Sequence, residues 1–202
     1  MRNLVIGDLI LDVYHYGKPL HDSVEGVPTI RKDRREVSYG GAGLLVRNIL
    51  RLGGKLCFVS AVGRDAFGEV ARKFNDKNLQ KFFVSEPGMQ TTVKERFVVG
   101  GKKVLKWNHL NEKAIGKSSE KNILSFIKKH LKFFDKLVIS DYRHGLISKS
   151  LARNVIKLAK KFKKPVYVDS QIAQSQGNHE WYQGADLVCL NILEAQSIDR
   201  QV

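Results

Sequence analysis

The chain has 202 residues, 43% of them hydrophobic, and a formal charge of +15 from 35 Lys and Arg against 20 Asp and Glu. That length suffices for one domain with a core of its own, and no apolar run is long enough to cross a bilayer. The basic balance suits phosphorylated ligands; nucleic acid is disfavoured, because no zinc-ligand cluster, RNA-binding aromatic stretch or helix-turn-helix pattern accompanies it.

Met1-Arg2-Asn3 passes directly into an apolar strand, Leu4 to Leu11, without signal-peptide anatomy, so a cytoplasmic location is expected. Asp12 follows and reads as a carboxylate at a strand end. Pro28 to Tyr39 is β-rich, alternating and charged. Gly40-Gly41-Ala42-Gly43 joins it to a helix over Leu44 to Leu52. A strand over Leu56 to Val62, a turn at Gly63-Arg64-Asp65, a helix over Phe67 to Asn75 and a short strand over Lys81 to Val84 come next.

Thr91 to Trp107 is again β-rich, alternating and charged, with Gly100-Gly101 as a hairpin turn. Ser118 to Phe134 has Ile123, Ile127 and Leu131 on one helical face and Ser118 or Ser119 as its cap. Lys136 to Ser140 is a strand. Ser148 to Lys164 is a helix with Leu151, Val155, Leu158 and Phe162 on one face, stopped by Pro165. Val166 to Asp169 and Leu187 to Leu190 are strands. Cys57 and Cys189 lie in such apolar runs and read as buried thiols, not as a disulfide or metal site. The lysines crowded between Lys117 and Lys164 fall on polar helix faces and read as solvated.

Helices alternating with short apolar strands predict an α/β fold, a parallel sheet covered on both faces. The segments Pro28 to Tyr39 and Thr91 to Trp107 do not fit inside such a sheet and predict a separate small β layer.

The four small residues Gly40 to Gly43 let backbone approach a ligand closely at a helix start. A glycine turn used only for packing is the alternative. Three motifs occur in order: Val5-Ile6-Gly7-Asp8-(x)3-Asp12, Gly40-Gly41-Ala42-(x)5-Asn48-(x)3-Leu52-Gly53, and Val62-Gly63-Arg64-Asp65-(x)2-Gly68. Thr91-Thr92-Val93-Lys94-Glu95-Arg96, Ser140-Asp141-Tyr142-(x)2-Gly145, Val168-Asp169-Ser170-Gln171, Gly184-Ala185-Asp186-Leu187 and Asn191-(x)2-Glu194 follow. This ordered set resembles the N-terminal two-thirds of the PfkB, or ribokinase-like, carbohydrate kinases, and within them the heptose 7-phosphate kinases of surface-sugar pathways. The resemblance runs over essentially the whole chain.

The resemblance implies a ribokinase-like sheet sandwiched by helices, with a β lid from about 28–39 and 91–107 that also forms a homodimer contact. It implies ATP and Mg2+ as cofactors and a sugar or sugar phosphate as substrate. Asp12 matches the aspartate that accepts from sugar hydroxyls, and Gly40 and Gly41 match the diglycine beside the sugar. Lys94 and Arg96 either face a sugar phosphate or protect an edge strand by charge. Asp169 and Gln171 fall on a strand-end cofactor motif. Asn191 and Glu194 match the Asn-x-x-Glu that organises phosphates, with Glu194 reaching the metal through water.

Three residues depart from the family pattern. Leu44 stands where it has asparagine, and Gln171 and His144 stand where the heptose kinases carry lysine. The family's base, in Gly-Ala-Gly-Asp, has no counterpart here and is expected beyond Val202. Two functions therefore stand at this stage. The first is a sugar kinase or its N-terminal portion, completed by a C-terminal half or associated with a nucleotidyltransferase. The second is a truncated, non-catalytic sugar-binding or assembly module.

Overall fold

The computed structural model describes residues 1–20, 27–111, 113–171 and 177–198. In chain order the elements are β1 (Arg2–Gly7), β2 (Leu9–Pro19), β3 (Ile30–Gly41), α1 (Ala42–Arg51), β4 (Lys55–Ala61), α2 (Ala66–Arg72) and β5 (Leu79–Val84). They continue with β6 (Val93–Val99), β7 (Lys102–His109), α3 (Lys117–His130), β8 (Lys136–Asp141), α4 (Lys149–Lys161), β9 (Val166–Ser170), β10 (Leu187–Cys189) and α5 (Ile192–Ile198). Six strands form one parallel sheet in the order β10-β9-β8-β1-β4-β5.

Side chains alternate across this sheet. Leu4 and Ile6 of β1 pack with Cys57, Val59, Leu137, Ile139 and Val168 under Ile123 and Ile127 of α3 and Leu151 and Val155 of α4. Val5 and Phe58 face the other way, onto Ala42 and Val46 of α1 and Ala71 of α2. Strands buried on both faces account for the unbroken apolar runs in the sequence. Ser148 Oγ accepts from the Leu151 N–H at 2.9 Å and caps α4. The start of α3 differs from expectation: Gly116 is its cap residue and Ser118 and Ser119 lie inside its first turn, so neither serine caps it.

Four strands form a second sheet in the order β3-β2-β6-β7. It contains both segments that the pattern set apart. Gly100 and Gly101, at φ of 55° and 80°, make the β6–β7 hairpin turn, where both central residues need positive φ. One expectation fails. Leu4 to Leu11 is not a single strand, because β1 ends at Gly7 and residues from Leu9 onward pair with β3 in the second sheet. The reason is polar. The Asp8 N–H donates to Ser140 O at 3.2 Å and the Ala42 N–H donates to Asp8 O at 2.9 Å, which turns the chain out of the main sheet. Asp12 thus sits within a strand of the second sheet.

Cys57 is buried, and burial pushes its thiol up to about 12. Cys189 is exposed, contrary to expectation, because β10 is a three-residue edge strand with no further strand beside it among the described residues. Leu187, Leu190, Ile192, Leu193 and Ile198 are also exposed along this edge and on α5. Lys128 and Lys129 of α3 and Lys160 and Lys161 of α4 are exposed in the last turns of their helices, where cations complement the helix dipole. No helix among the described residues is long and apolar enough to cross a membrane.

The two-face core yields a stability contrast. Phe58→Ala removes a fully buried ring from the centre of the main sheet and is expected to cost about 3–5 kcal/mol. Leu105→Ala, on the exposed hairpin strand, is expected to stay within about 0.5 kcal/mol. Urea unfolding of the two variants checks this, and equal losses would contradict the assignment of the core.

Candidate functional site

The alternation of β2 and β6 gathers charge on one face of the second sheet. Asp12 lies in register with Lys94 on β6 and with Ser38 on β3. Arg96, two residues on, places Nη1 2.8 Å from Asp12 Oδ1 and also donates to Lys94 O at 2.6 Å. Its guanidinium lies over the Tyr14 ring, 5.6 Å from the centroid. Burial lowers the Lys94 pKa; the Arg96 charge adds to this, and the carboxylates of Asp12 and Asp8 oppose it.

The diglycine is required here. A Cβ on Gly40 would stand 2.0 Å from Asp12 Oδ2, so any side chain at this position would displace the carboxylate. Gly41 has φ of 55°, and a Cβ there would meet Asp8 O at 2.6 Å. The first glycine therefore clears space for Asp12, and the second lets the backbone turn into α1.

The main sheet contributes the turn between β8 and α4. Asp8, 4% exposed, accepts from the N–H groups of Tyr142, His144 and Leu146. Asp141 is also buried and accepts from the Arg143 N–H at 2.8 Å, from Asn178 Nδ2 at 2.8 Å and from the hydroxyl of Tyr182. Burial raises the Tyr142 hydroxyl, and the charges of Asp169, Asp12 and Asp8 raise it further. Burial, followed by the Lys94 charge, pushes His144 down to about 4, so its imidazole is neutral at physiological pH. Tyr142 and His144 thus share an electrostatic environment with residues of the second sheet.

Asp169 is the penultimate residue of β9, and partial burial and the Glu194 charge raise its pKa. Asn191 and Glu194 form a reciprocal cap at the start of α5. The Asn191 N–H donates to Glu194 Oε2 at 2.8 Å, and the Glu194 N–H donates to Asn191 Oδ1 at 3.0 Å. Gln171 is exposed, and its backbone N–H donates to Asp141 O at 3.1 Å.

Of the residues singled out in the sequence, Asp12, Gly40, Lys94 and Arg96 form one contiguous cluster, with Gly41 adjacent at the start of α1. Asn191 and Glu194 lie outside this cluster; Glu194 acts on Asp169, whose charge in turn acts on Tyr142. Asp8 and Tyr142 were given no role in the sequence, although both lie inside quoted motifs; an acidic residue embedded in an apolar run was the available signal for Asp8. No group of three or more His, Cys, Asp or Glu side chains arranged for a metal ion occurs among the described residues.

A parallel α/β sheet carrying a second β layer, with carboxylates and cations facing a glycine-cleared strand, defines a sugar-kinase class of architecture. Residues 1–199 match the pfkB family of carbohydrate kinases, and the chain belongs to that family. It is 31% identical over 196 residues to a bifunctional protein HldE of a Nitratiruptor species, covering 96% of this chain and 40% of that protein. The corresponding protein of Geobacter metallireducens is 33% identical over 198 residues, 96% of this chain and 39% of that one. The chain therefore spans about 40% of the length of these curated relatives.

Among solved structures, Escherichia coli phosphofructokinase-2 in complex with substrates and products superposes with a TM-score of 0.72 at 18% identity, covering 99% of this chain and 64% of that one. Arabidopsis thaliana ribokinase complexed with ribose and ATP gives 0.63 at 17%, covering 96% and 61%. At these identities the likeness establishes the ribokinase-like fold.

Two outcomes are expected of this geometry. Gly40→Ala should force Asp12 away from Arg96 and cost about 1–3 kcal/mol by overpacking, measured by urea unfolding. A variant as stable as the parent, with the backbone amide shift of Asp12 unchanged, would contradict the close approach. For His144 the folded pKa lies below the unfolded value of 6.5, so the folded state binds less proton. Its contribution to stability is present above pH 6.5 and is lost as pH falls from there towards about 4. His144→Gln should therefore lose less stability than the parent between these pH values; an identical acid slope would contradict the burial of the ring.

Proposed function

We propose that this chain forms the sugar-binding and phosphate-organising part of a kinase that transfers the γ-phosphoryl of ATP to a hydroxyl of a sugar or sugar phosphate. A heptose phosphate of surface-carbohydrate biosynthesis is the substrate class that the motif set favours. The observation that supports the reading is the cluster of Asp12, Gly40, Lys94 and Arg96, from three strands of the second sheet, with the charges of Asp12 and Lys94 felt at Tyr142 and His144 of the β8–α4 turn.

Each residue has a chemical task in this reading. The Asp12 carboxylate accepts from sugar hydroxyls. Arg96 uses one Nη on Asp12 and keeps further N–H donors for a phosphate. Lys94 adds a partly desolvated cation, and neutral His144 offers a hydrogen bond to a hydroxyl. Burial and the Glu194 charge raise Asp169, and a divalent cation held through water would relieve this. Asp169, Gln171, Asn191 and Glu194 would then hold ATP and Mg2+, and the metal would neutralise the phosphates. An ATP-dependent step on a small sugar fits a cytoplasmic protein, and the second sheet supplies the surface of a homodimer.

The general base is assigned outside these residues, because the sequence contains no Gly-x-Gly-Asp. The exposed apolar edge at β10 and α5 would receive the polypeptide that carries it, whether a C-terminal half or a partner with a nucleotidyltransferase domain. A sugar-binding or assembly module without catalysis is the second reading. It draws on that same missing base.

The 202-residue chain is expected to bind a heptose 7-phosphate but to phosphorylate it no faster than background. Loss of a single transition-state donor already costs about 100- to 1000-fold, and in this reading neither the base nor the anion hole lies among these residues. Asp12→Ala should weaken binding by about tenfold or more. Titration calorimetry and a coupled ADP assay check both. Magnesium-dependent turnover by the purified chain would overturn the assignment of the base, and equal affinity in parent and Asp12→Ala would remove Asp12 from the site.

A further inference from the structure

Asp8 has no task in the reading above, yet three N–H groups of one turn converge on its carboxylate. Tyr142 donates to Oδ2 at 2.8 Å, His144 to Oδ2 at 3.3 Å and Leu146 to Oδ1 at 3.3 Å. The turn has no regular structure of its own. Arg143 lies in the left-handed region at φ 64°, and Gly145 has φ 90° with Lys113 O only 2.2 Å from where a Cβ would stand. Asp8 is itself held by its main chain, through Ser140 O and the Ala42 N–H. It therefore transmits the position of two fixed elements, the end of β8 and the start of α1, to the turn.

We propose that Asp8 is a positioning residue for the sugar site: by anchoring the 142–146 turn, it sets Tyr142 and His144 against Asp12 and Lys94. This rests on the sugar-kinase reading of the same cleft. A carboxylate accepts all three N–H groups, whereas a carboxylic acid turns one oxygen into a donor and accepts less well. Burial and the neighbouring Asp141 carboxylate push Asp8 up to about 7, so its hold on the turn changes near neutrality. The charged and titratable groups around it are Asp141 from β8, Lys94 from β6, and Tyr142 and His144 from the turn itself. From α1 it meets only the uncharged start at Gly41 and Ala42.

The sign gives the proposal a signature. The folded pKa lies above the unfolded value of 3.8, so the contribution of Asp8 to stability is full at low pH and is lost as pH rises towards about 7. Anchoring of the turn strengthens over the same interval. Global stability and sugar-phosphate affinity should thus respond in opposite directions to the ionisation of Asp8. A residue with a purely structural role would move both together.

The test has two arms. In the parent chain, the amide 1H–15N signals of Tyr142, His144 and Leu146 are followed from about pH 5 to about pH 9 and should titrate together with a midpoint near 7. In parallel, affinity for heptose 7-phosphate is measured over the same range for the parent and for Asp8→Asn. The probe's own phosphate titrates in both, so their ratio isolates Asp8. Asp8→Asn should bind about tenfold more weakly at the alkaline end, and the ratio should shrink as pH falls through the midpoint. If Asp8→Asn fails to fold, the amide titration of the parent decides. Turn amides that do not titrate together would overturn the role of Asp8 alone, as would a pH-independent ratio near one. A parent chain that binds no sugar phosphate at any pH would overturn the sugar-site reading, and the positioning role with it.

Discussion

Residue 8 is where the chain leaves one sheet for the other, and each of its polar atoms is committed there. Its N–H binds the end of β8, its carbonyl takes the first N–H of α1, and its carboxylate takes three N–H groups of the β8–α4 turn. Of these five hydrogen bonds at a buried point, four join segments more than 130 residues apart and the fifth ties in the start of α1. The glycines follow from this constraint. Gly41 must stay bare because the Asp8 carbonyl occupies the space of its Cβ, and it also takes positive φ; Gly40 must stay bare because Asp12 occupies the space of its own. A change at the junction would shift both sheets relative to the turn.

Several groups around this junction are electrostatically or conformationally unfavourable. Lys94 is partly desolvated beside Arg96. Asp169 and Glu194 repel each other, as do Asp8 and Asp141. Arg143 holds a left-handed backbone that costs about 1–3 kcal/mol for a residue other than glycine. In the proposed function, a phosphate beside the cations and a hydrated divalent ion beside Asp169 and Glu194 would offset two of these costs.

Much of the fold is legible in the sequence because its strands are short and apolar and its helices are strongly one-sided. Pro28 to Tyr39 and Thr91 to Trp107 stand out as a second layer because alternation and charge together forbid a doubly buried strand. The crossing at Asp8 is not legible by the same means. Leu9, Ile10 and Leu11 are as apolar as Leu4, Val5 and Ile6, and no proline marks the break; only tertiary hydrogen bonds to Ser140 and Ala42 create it. The cluster of Asp12, Lys94 and Arg96 is suggested in the sequence only by the resemblance of its motifs, which leaves open whether Lys94 and Arg96 face a phosphate or protect a strand by charge. Asp8 and Tyr142 are not legible, since their roles depend on a turn 134 residues away whose shape local propensity does not specify. Asn191 and Glu194 are legible as a pair, but the pair caps a helix by geometry, and its relation to a metal rests on Asp169. Cys189 reads as buried from its apolar neighbours; the edge position of β10 exposes it.

The central claim is that the two sheets share one ligand site. Its most direct test is a backbone amide shift map of the chain titrated with heptose 7-phosphate. The account predicts perturbations at Asp12, Gly40 and Lys94 in the second sheet together with Tyr142 and His144 in the main-sheet turn, all saturating with one dissociation constant. Perturbations confined to either sheet, or centred on the groove at the opposite end lined by Arg2, Lys55, Asn78 and Phe134, would contradict it.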